Sequence, residues 1–268
     1  MLPMVGPQKS MLHMWNPQLL QLPIFKDVVC IAPFQCRGLN QVINLVGMTK
    51  MGISAAGDES WGTNQYGPCW ANVSATIDTE IPATIMNYNN FTLLSWASTV
   101  STDAGREMLA GVWEGAQQYI RFGRSGNNFY AYFRVPTGTR SFSNATVPNN
   151  DGNMHCFIAS SNHTGLDGHF DGQFVEAGGT VVGSNAGQAN NFEIGAYDGR
   201  SDSWVGNISL TMLWNRGLSP EECRQVYEMG PSLTPLNEQF PIPYRSAIGA
   251  GSSSFEASWA RNSNQVLL

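Results

Sequence analysis

Several short runs in which apolar and polar side chains alternate constrain the fold more than any other feature. The clearest runs lie at residues 129–135, 154–159, 192–197 and 207–214. In the first run Tyr130, Tyr132 and Arg134 lie between apolar positions, and in the third run Glu193 and Tyr197 face away from Phe192, Ile194 and Ala196. Because successive side chains of a strand point to opposite faces, each run predicts a strand buried on one face.

Turn signals separate these runs. They stand at Gly126-Asn127-Asn128, Asn149-Asn150-Asp151-Gly152 and Asp198-Gly199. Asp171-Gly172 lies between Phe170 and Phe174, which predicts a two-residue hairpin turn with positive φ. Many short strands joined by regular turns predict an all-β, two-sheet antiparallel sandwich.

One helix interrupts this pattern. In Ser219-Pro220-Glu221-Glu222, Ser219 fits the N-cap, Pro220 the first helical position and Glu222 the reciprocal capping partner. The helix is predicted over about 219–229, ending before Gly230-Pro231.

Composition excludes several classes of protein. The chain has 268 residues, a net charge of -6 and only 13% charged residues, with 42% hydrophobic ones. Low charge with high apolar content argues against global disorder. Nucleic acid is not an expected partner, because no basic stripe could neutralise phosphates. A membrane is not expected either, since no run of 18 apolar residues occurs.

Extended arms are predicted on both sides of the sandwich. The predicted divisions are an N-terminal arm at 1–26, the sandwich at 27–235 and a C-terminal arm at 236–268, with proline-rich stretches and a Gly/Ser run at 249–254. Apolar arm residues are expected to dock to other subunits: Met11, Met14, Trp15, Leu19, Phe255, Trp259, Val266 and Leu267. The alternative is that the arms fold back onto their own sandwich.

The segment 204–222 carries a family resemblance. Its Gly206, Ile208, Trp214, Asn215-Arg216 and Leu218-Ser219 resemble the C-terminal signature of laminin-G-like, concanavalin-A-like jelly-roll domains. Residues 168–173 are similar to a hairpin of that family and 191–195 to one of its strands, and 44–47 and 91–96 stand where the family has a turn and its first core strand. The resemblance spans about 27–232. It implies two sheets in jelly-roll order, and carbohydrate or protein ligands.

Catalytic chemistry is not expected. Glucanases of this fold carry Glu-x-Asp-x-x-Glu on one strand, which places two carboxylates on one face, and this pattern is missing. Asp58 and Glu59 are adjacent and would point to opposite faces. Asp78 and Glu80 could share a face but read as a solvated edge. The sequence therefore predicts that the protein is not an enzyme.

One loop supplies the predicted ligand site. It brings together an aromatic ring for the apolar face of a sugar with polar groups for its hydroxyls: Tyr197, Asp198, Arg200, Asp202 and Trp204. Asp198 and Asp202 could also bind Ca²⁺ through oxygen ligands. The alternative interpretation is a polar hairpin loop closed by a core Trp204.

The five cysteines are expected to be buried thiols. Their number is odd and their spacing shows no C-x-x-C pattern, although a Cys30–Cys36 bridge is an alternative. The N-terminus lacks the basic and apolar regions of a secretory signal peptide.

These features together predict a virion localisation. The expected role is a bacteriophage structural protein, for capsid decoration or a fibre, with other virion subunits, copies of itself and a host-surface glycan as partners. The alternatives are an extracellular carbohydrate-binding module and a glycoside hydrolase with an unrecognised site.

Overall fold

The structure is a computed structural model that describes residues 20–34, 42–54, 60–64, 67–72, 76–85, 90–113, 119–135, 138–162, 165–179, 190–196 and 202–231. The chain divides into two units, Met1–Leu233 and Thr234–Leu268, and every described residue belongs to the first. The described part of that unit contains two eight-stranded antiparallel sheets and one α-helix.

Sheet I has the strand order β14-β13-β12-β7-β16-β5-β4, and β1 pairs with the C-terminal half of β16. Its strands are β1 (Val28–Pro33), β4 (Ser60–Asn64), β5 (Gly67–Asn72), β7 (Phe91–Ser98), β12 (His155–Asn162), β13 (Gly165–Phe170), β14 (Gln173–Gly178) and β16 (Gly206–Trp214). Because β16 is nine residues long, its one side pairs first with β5 and then with β1.

Sheet II has the order β11-β10-β9-β8-β15-β6-β3-β2. Its strands are β2 (Val42–Asn44), β3 (Thr49–Ser54), β6 (Thr76–Pro82), β8 (Arg106–Trp113), β9 (Tyr119–Ser125), β10 (Asn128–Val135), β11 (Gly138–Asn144) and β15 (Asn191–Ile194). The predicted jelly-roll sandwich is confirmed.

The inner faces of the two sheets form the main core. Phe129 is central there, because its ring lies 4.9 Å from that of Phe142 and 5.4 Å from that of Phe157, both edge-on. The alternating apolar residues of the sequence supply this core: Phe129, Ala131 and Phe133 from β10, and Phe192 and Ile194 from β15. Their polar neighbours therefore lie on the outer face of sheet II.

A second apolar cluster covers the outer face of sheet I. The α-helix α1 (Pro220–Met229) and a 3-10 turn (Pro23–Phe25) pack there against β7, β12 and β16. Every residue of β7 is buried as a result, because both of its faces meet apolar layers. The alternating sequence runs predict strands that are buried on one face only. Strands of sheet I are buried on both faces because α1 and the 3-10 turn cover the outer face.

The helix begins and ends as predicted. The Ser219 hydroxyl accepts from the Glu222 N–H at 3.2 Å, and the Glu222 carboxylate accepts from the Ser219 N–H at 2.9 Å. Arg216 also binds Glu222, at 2.7 Å, and donates to the Ile24 carbonyl at 3.2 Å. One guanidinium thus ties the helix start to the N-terminal segment.

The predicted docking residues of both arms lie outside the described residues: Met11, Met14, Trp15, Leu19, Phe255, Trp259, Val266 and Leu267. The described end of the N-terminal arm, from Leu20 onward, packs on its own sandwich, with Ile24 and Phe25 buried. For this stretch the structure follows the fold-back alternative.

Two local predictions can be checked directly. Asp171 and Gly172 both have positive φ, 50° and 75°, in the hairpin between β13 and β14, as predicted. Among the described residues, Cys30, Cys156 and Cys223 are free, buried thiols, and Cys69 is buried as well. Cys36 lies outside the described part of the chain.

Candidate functional site

Four aromatic side chains form a row on the outer face of sheet II. Trp113 of β8 stacks on Tyr119 of β9 with their ring centres 5.2 Å apart, and Tyr119 stacks on Tyr132 of β10 with ring centres 5.4 Å apart. Tyr132 in turn lies 6.1 Å from Tyr130 on the same strand. We call these four residues the aromatic row. Its end rings, Trp113 and Tyr130, each have only one neighbour within it.

Arginines border the aromatic row. The Arg121 guanidinium lies 4.5 Å from the centre of the Tyr119 ring and 6.0 Å from that of Trp113, both within cation–π range. Arg134 stands directly opposite Tyr119 in the pairing of β9 with β10. Because a stacked guanidinium keeps its N–H groups at its edge, it can still donate to a ligand.

An acidic pair continues the same face on the other side of β8. Glu193 of β15 pairs with Asp78 of β6 on one side and with Gly111 of β8 on the other. The Asp78 carboxylate accepts from the Glu80 N–H at 2.8 Å and from the Asn191 side chain at 3.2 Å. These bonds fix one carboxylate in place and leave a polar face beside the aromatic row.

The centre of this surface is a line of cross-strand neighbours that crosses sheet II. In register order it runs through Ser141, Tyr132, Arg121, Gly111, Glu193, Asp78 and Gly52. With neighbouring strands about 4.8 Å apart, these seven positions span about 29 Å across the strands. Rings, phenol hydroxyls, guanidinium groups and carboxylates along such a line suit an elongated polar ligand.

The predicted loop site is wrong in Trp204, one of its two aromatic residues. Trp204 is fully buried between the sheets, its ring 5.8 Å from that of Phe157, and its Nε1 donates to the Ser98 carbonyl at 3.3 Å. It therefore has no ring face for a sugar, and the core interpretation of Trp204 holds. Asp202 is half-buried, and its carbonyl accepts from the Met108 N–H at 2.7 Å. Tyr197, Asp198 and Arg200 lie outside the described residues, so the loop as a whole stays a prediction.

The end of the sandwich beside Asp202 contains a buried polar cluster. The Arg124 side chain donates to the carbonyls of Gly126 and Ser101 at 2.7 and 2.5 Å, and lies 3.7 Å from the Glu107 carboxylate. Burial raises the pKa of Glu107 above its ordinary value, although the Ser101 hydroxyl and Arg124 act in the opposite direction. These contacts join the turn at Gly126 to the loop at Ser101, which is a structural role.

No metal centre is found among the described residues, where no three His, Cys, Asp or Glu side chains are placed to hold an ion. The predicted Ca²⁺ pair, Asp198 and Asp202, has only Asp202 in that part of the chain. Within the same residues, no helix is both long and apolar enough to cross a bilayer.

The residues of the outer face were visible in the sequence but were not recognised as a site. Tyr130, Tyr132 and Arg134 are the polar partners of the alternating run in β10, and Glu193 is that of β15. Alternation assigns them to one side of a strand, but it does not say which strands are neighbours. The pairing β8-β15-β6 joins segments about 80 to 115 residues apart, and short-range patterns do not show it.

The two packed antiparallel sheets define a jelly-roll sandwich. The family described as the concanavalin A-like lectin/glucanases superfamily, with a laminin-G model, matches residues 74–224. The chain belongs to this superfamily. Both carbohydrate-cleaving enzymes and non-enzymatic binding domains share this fold. The search of curated protein sequences finds no match.

Solved structures are similar in fold at low identity. Domain 4 of AbnA, an extracellular arabinanase from Geobacillus stearothermophilus solved with arabinotriose, has a TM-score of 0.60 and 12% identity, covering 75% of this chain and 98% of that one. The binding domain of botulinum neurotoxin serotype G has a TM-score of 0.57 and 11% identity, and the match covers 75% of this chain and 51% of that one. Trypanosoma rangeli sialidase with a difluoro-KDN ligand has a TM-score of 0.53 and 14% identity, and the match covers 79% of this chain and 34% of that one. This chain thus spans about half of the neurotoxin domain and a third of the sialidase.

Proposed function

We propose that this chain is a non-catalytic glycan-binding domain, with its ligand lying across the outer face of sheet II. The observation that carries this proposal is the aromatic row bordered by Arg121, Arg134, Asp78 and Glu193 on one continuous face. Sugar recognition needs both ring contact and hydrogen bonds to hydroxyls, and this face supplies both. The superfamily and the arabinotriose-bound neighbour are consistent with such a ligand.

Isothermal titration of the full chain against a panel of oligosaccharides, including arabino-oligosaccharides, tests this function. The parent is expected to bind at least one of them saturably. Trp113→Ala should weaken binding about 30-fold, which corresponds to a loss of about 2 kcal/mol for a contact residue.

The matched control is Phe174→Ala, which removes an exposed aromatic side chain from β14 in the other sheet. It should bind as the parent does. Saturable binding that is equal in Trp113→Ala and the parent contradicts the assigned face. If the parent binds no member of a broad panel, the function is wrong.

The same samples test the enzyme alternative. Asp78 and Glu193 face each other on neighbouring strands, and a pair of carboxylates is what glycoside hydrolysis uses. We expect no release of reducing ends from any glycan that binds. Release that is lost in both Glu193→Gln and Asp78→Asn would instead assign a hydrolase.

A role in a phage particle stays our proposal from the sequence. Its basis is the low charge and the apolar residues predicted in the arms, including Trp15 and Trp259. Negative-stain microscopy of particles that co-purify with the chain tests it. Recovery of the chain only as a free soluble species would contradict this role and leave the glycan site unaffected.

A further inference from the structure

The outer face of sheet II is divided by charge. Over β8–β11, the charged residues on the described part of this face are Arg106, Arg121 and Arg134, and it carries no carboxylate there. The whole chain has only 14 Lys and Arg against 20 Asp and Glu. On the described outer face of these four strands the charged side chains are thus all positive, which is the reverse of the chain's net charge of -6.

Two of these arginines flank one ring. Arg121 lies over Tyr119 at 4.5 Å, and Arg134 is the cross-strand partner of the same tyrosine. A guanidinium held against a ring loses little freedom when it binds, and its fork of N–H groups matches carboxylate and sulfate oxygens.

The third arginine belongs to the same electrostatic patch. Burial raises the pKa of Tyr130 to about 12, while the positive charges of Arg106 and Arg121 act in the opposite direction. In the strand register Arg106 stands opposite Ser125, two residues along β9 from Gly123, which is the partner of Tyr130, so Arg106 belongs to the same face.

We propose that this half of the face selects acidic glycans, with a carboxylate or sulfate group of the sugar held over β9 and β10 by Arg121 and Arg134. The inference rests on the proposed glycan-binding function. The shared chemistry is an oxyanion on a sugar ring.

The acidic pair gives the bound glycan a direction. Glu193 lies two strand spacings from Arg121, about 10 Å, and Asp78 lies one strand further. Carboxylates there repel a second anion but accept hydrogen bonds from uncharged hydroxyls. The acidic sugar therefore lies over β9 and β10, and neutral sugars lie over β15 and β6.

The test is a set of titrations of the full chain with polygalacturonate, dextran sulfate, neutral arabinan and a DNA oligonucleotide. At least one acidic polymer should bind tenfold or more tightly than arabinan, and raising the salt should weaken that binding. Comparing the first two polymers separates a carboxylate from a sulfate ligand.

Arg134→Gln should weaken binding of the acidic polymer about tenfold to a hundredfold, as expected for a lost charge-assisted hydrogen bond, and change arabinan binding little. Arg224→Gln is the matched control, because it removes an equal charge from the exposed surface of α1. It should bind every polymer as the parent does. If Arg134→Gln does not fold, Arg121→Gln and the parent's salt dependence decide the matter.

The outcomes separate this inference from the function beneath it. Arabinan bound as tightly as the acidic polymers, with Arg134→Gln equal to Arg224→Gln, overturns the acidic preference and leaves glycan binding intact. Binding of no glycan overturns both. An oligonucleotide bound as tightly as the acidic glycans also overturns the inference, because the patch would then respond to any polyanion.

Discussion

Replacing Trp214 with alanine tests the layer that covers sheet I. Trp214 ends β16, is fully buried, and packs among residues of α1 and the N-terminal segment. Removal of a buried aromatic side chain should lower the free energy of unfolding by about 3–5 kcal/mol. The hydrogen bond from Trp214 Nε1 to the Ile24 carbonyl, 2.8 Å, is lost too, but Arg216 still donates to that oxygen at 3.2 Å. Most of the cost is therefore packing.

Urea unfolding followed by fluorescence measures this cost, and Trp214→Phe separates its parts. The phenylalanine variant keeps most of the apolar contact and loses the hydrogen bond, so it should be destabilised far less, by about 1–2 kcal/mol. If the alanine variant unfolds within about 1 kcal/mol of the parent, Trp214 does not hold this layer on sheet I. Equal losses in both variants would contradict this expectation, because the hydrogen bond and not the packing would then dominate.

Two further predictions concern the sandwich itself. Burial lowers the pKa of His155, but the hydrogen bonds and charges of Asp171 and Asp151, at 2.7 and 3.0 Å, outweigh it, so the pKa lies above the ordinary value. This stabilisation is complete below the unfolded pKa of about 6.5 and is lost as the pH rises through the folded pKa. The urea midpoint of the parent should therefore fall over this pH range, and that of His155→Gln should change less. Parallel plots of urea midpoint against pH for the two proteins would contradict this prediction. Gly123→Ala would place a Cβ 2.2 Å from the Glu107 carbonyl oxygen, opposite the bulge in β8. The substitution should lower the free energy of unfolding by about 1–3 kcal/mol, measured by thermal unfolding. An unchanged melting temperature would show that β8 moves to accommodate the methyl group.

The sequence was sufficient for the features that depend on local pattern. Alternation located the strands of the core, and Ser219 and Glu222 located the helix, because a capping box needs only residues within one turn. It did not show that α1 and the turn at Pro23–Phe25 cover sheet I. A short-range pattern can indicate that a strand is buried on both faces, but it does not identify the element that packs on each face. Trp204 was assigned to a ligand because it ends a polar loop, yet its ring points inward.

The site shows the same division. The outward position of Tyr132 follows from alternation with Phe133, but its place near Tyr119 depends on the pairing of β9 with β10, and the nearness of Glu193 depends on β15 inserting between β8 and β6. That insertion joins distant segments of the chain, so it is settled by the packing of the whole sandwich and not by any single stretch.

A crystal structure of the chain with its tightest-binding glycan would locate the ligand. We expect the sugar to lie on the outer face of sheet II, in contact with Trp113 and within hydrogen-bond distance of Arg121 or Arg134. A sugar bound instead at the end of the sandwich beside Asp202, with the aromatic row untouched, would contradict it.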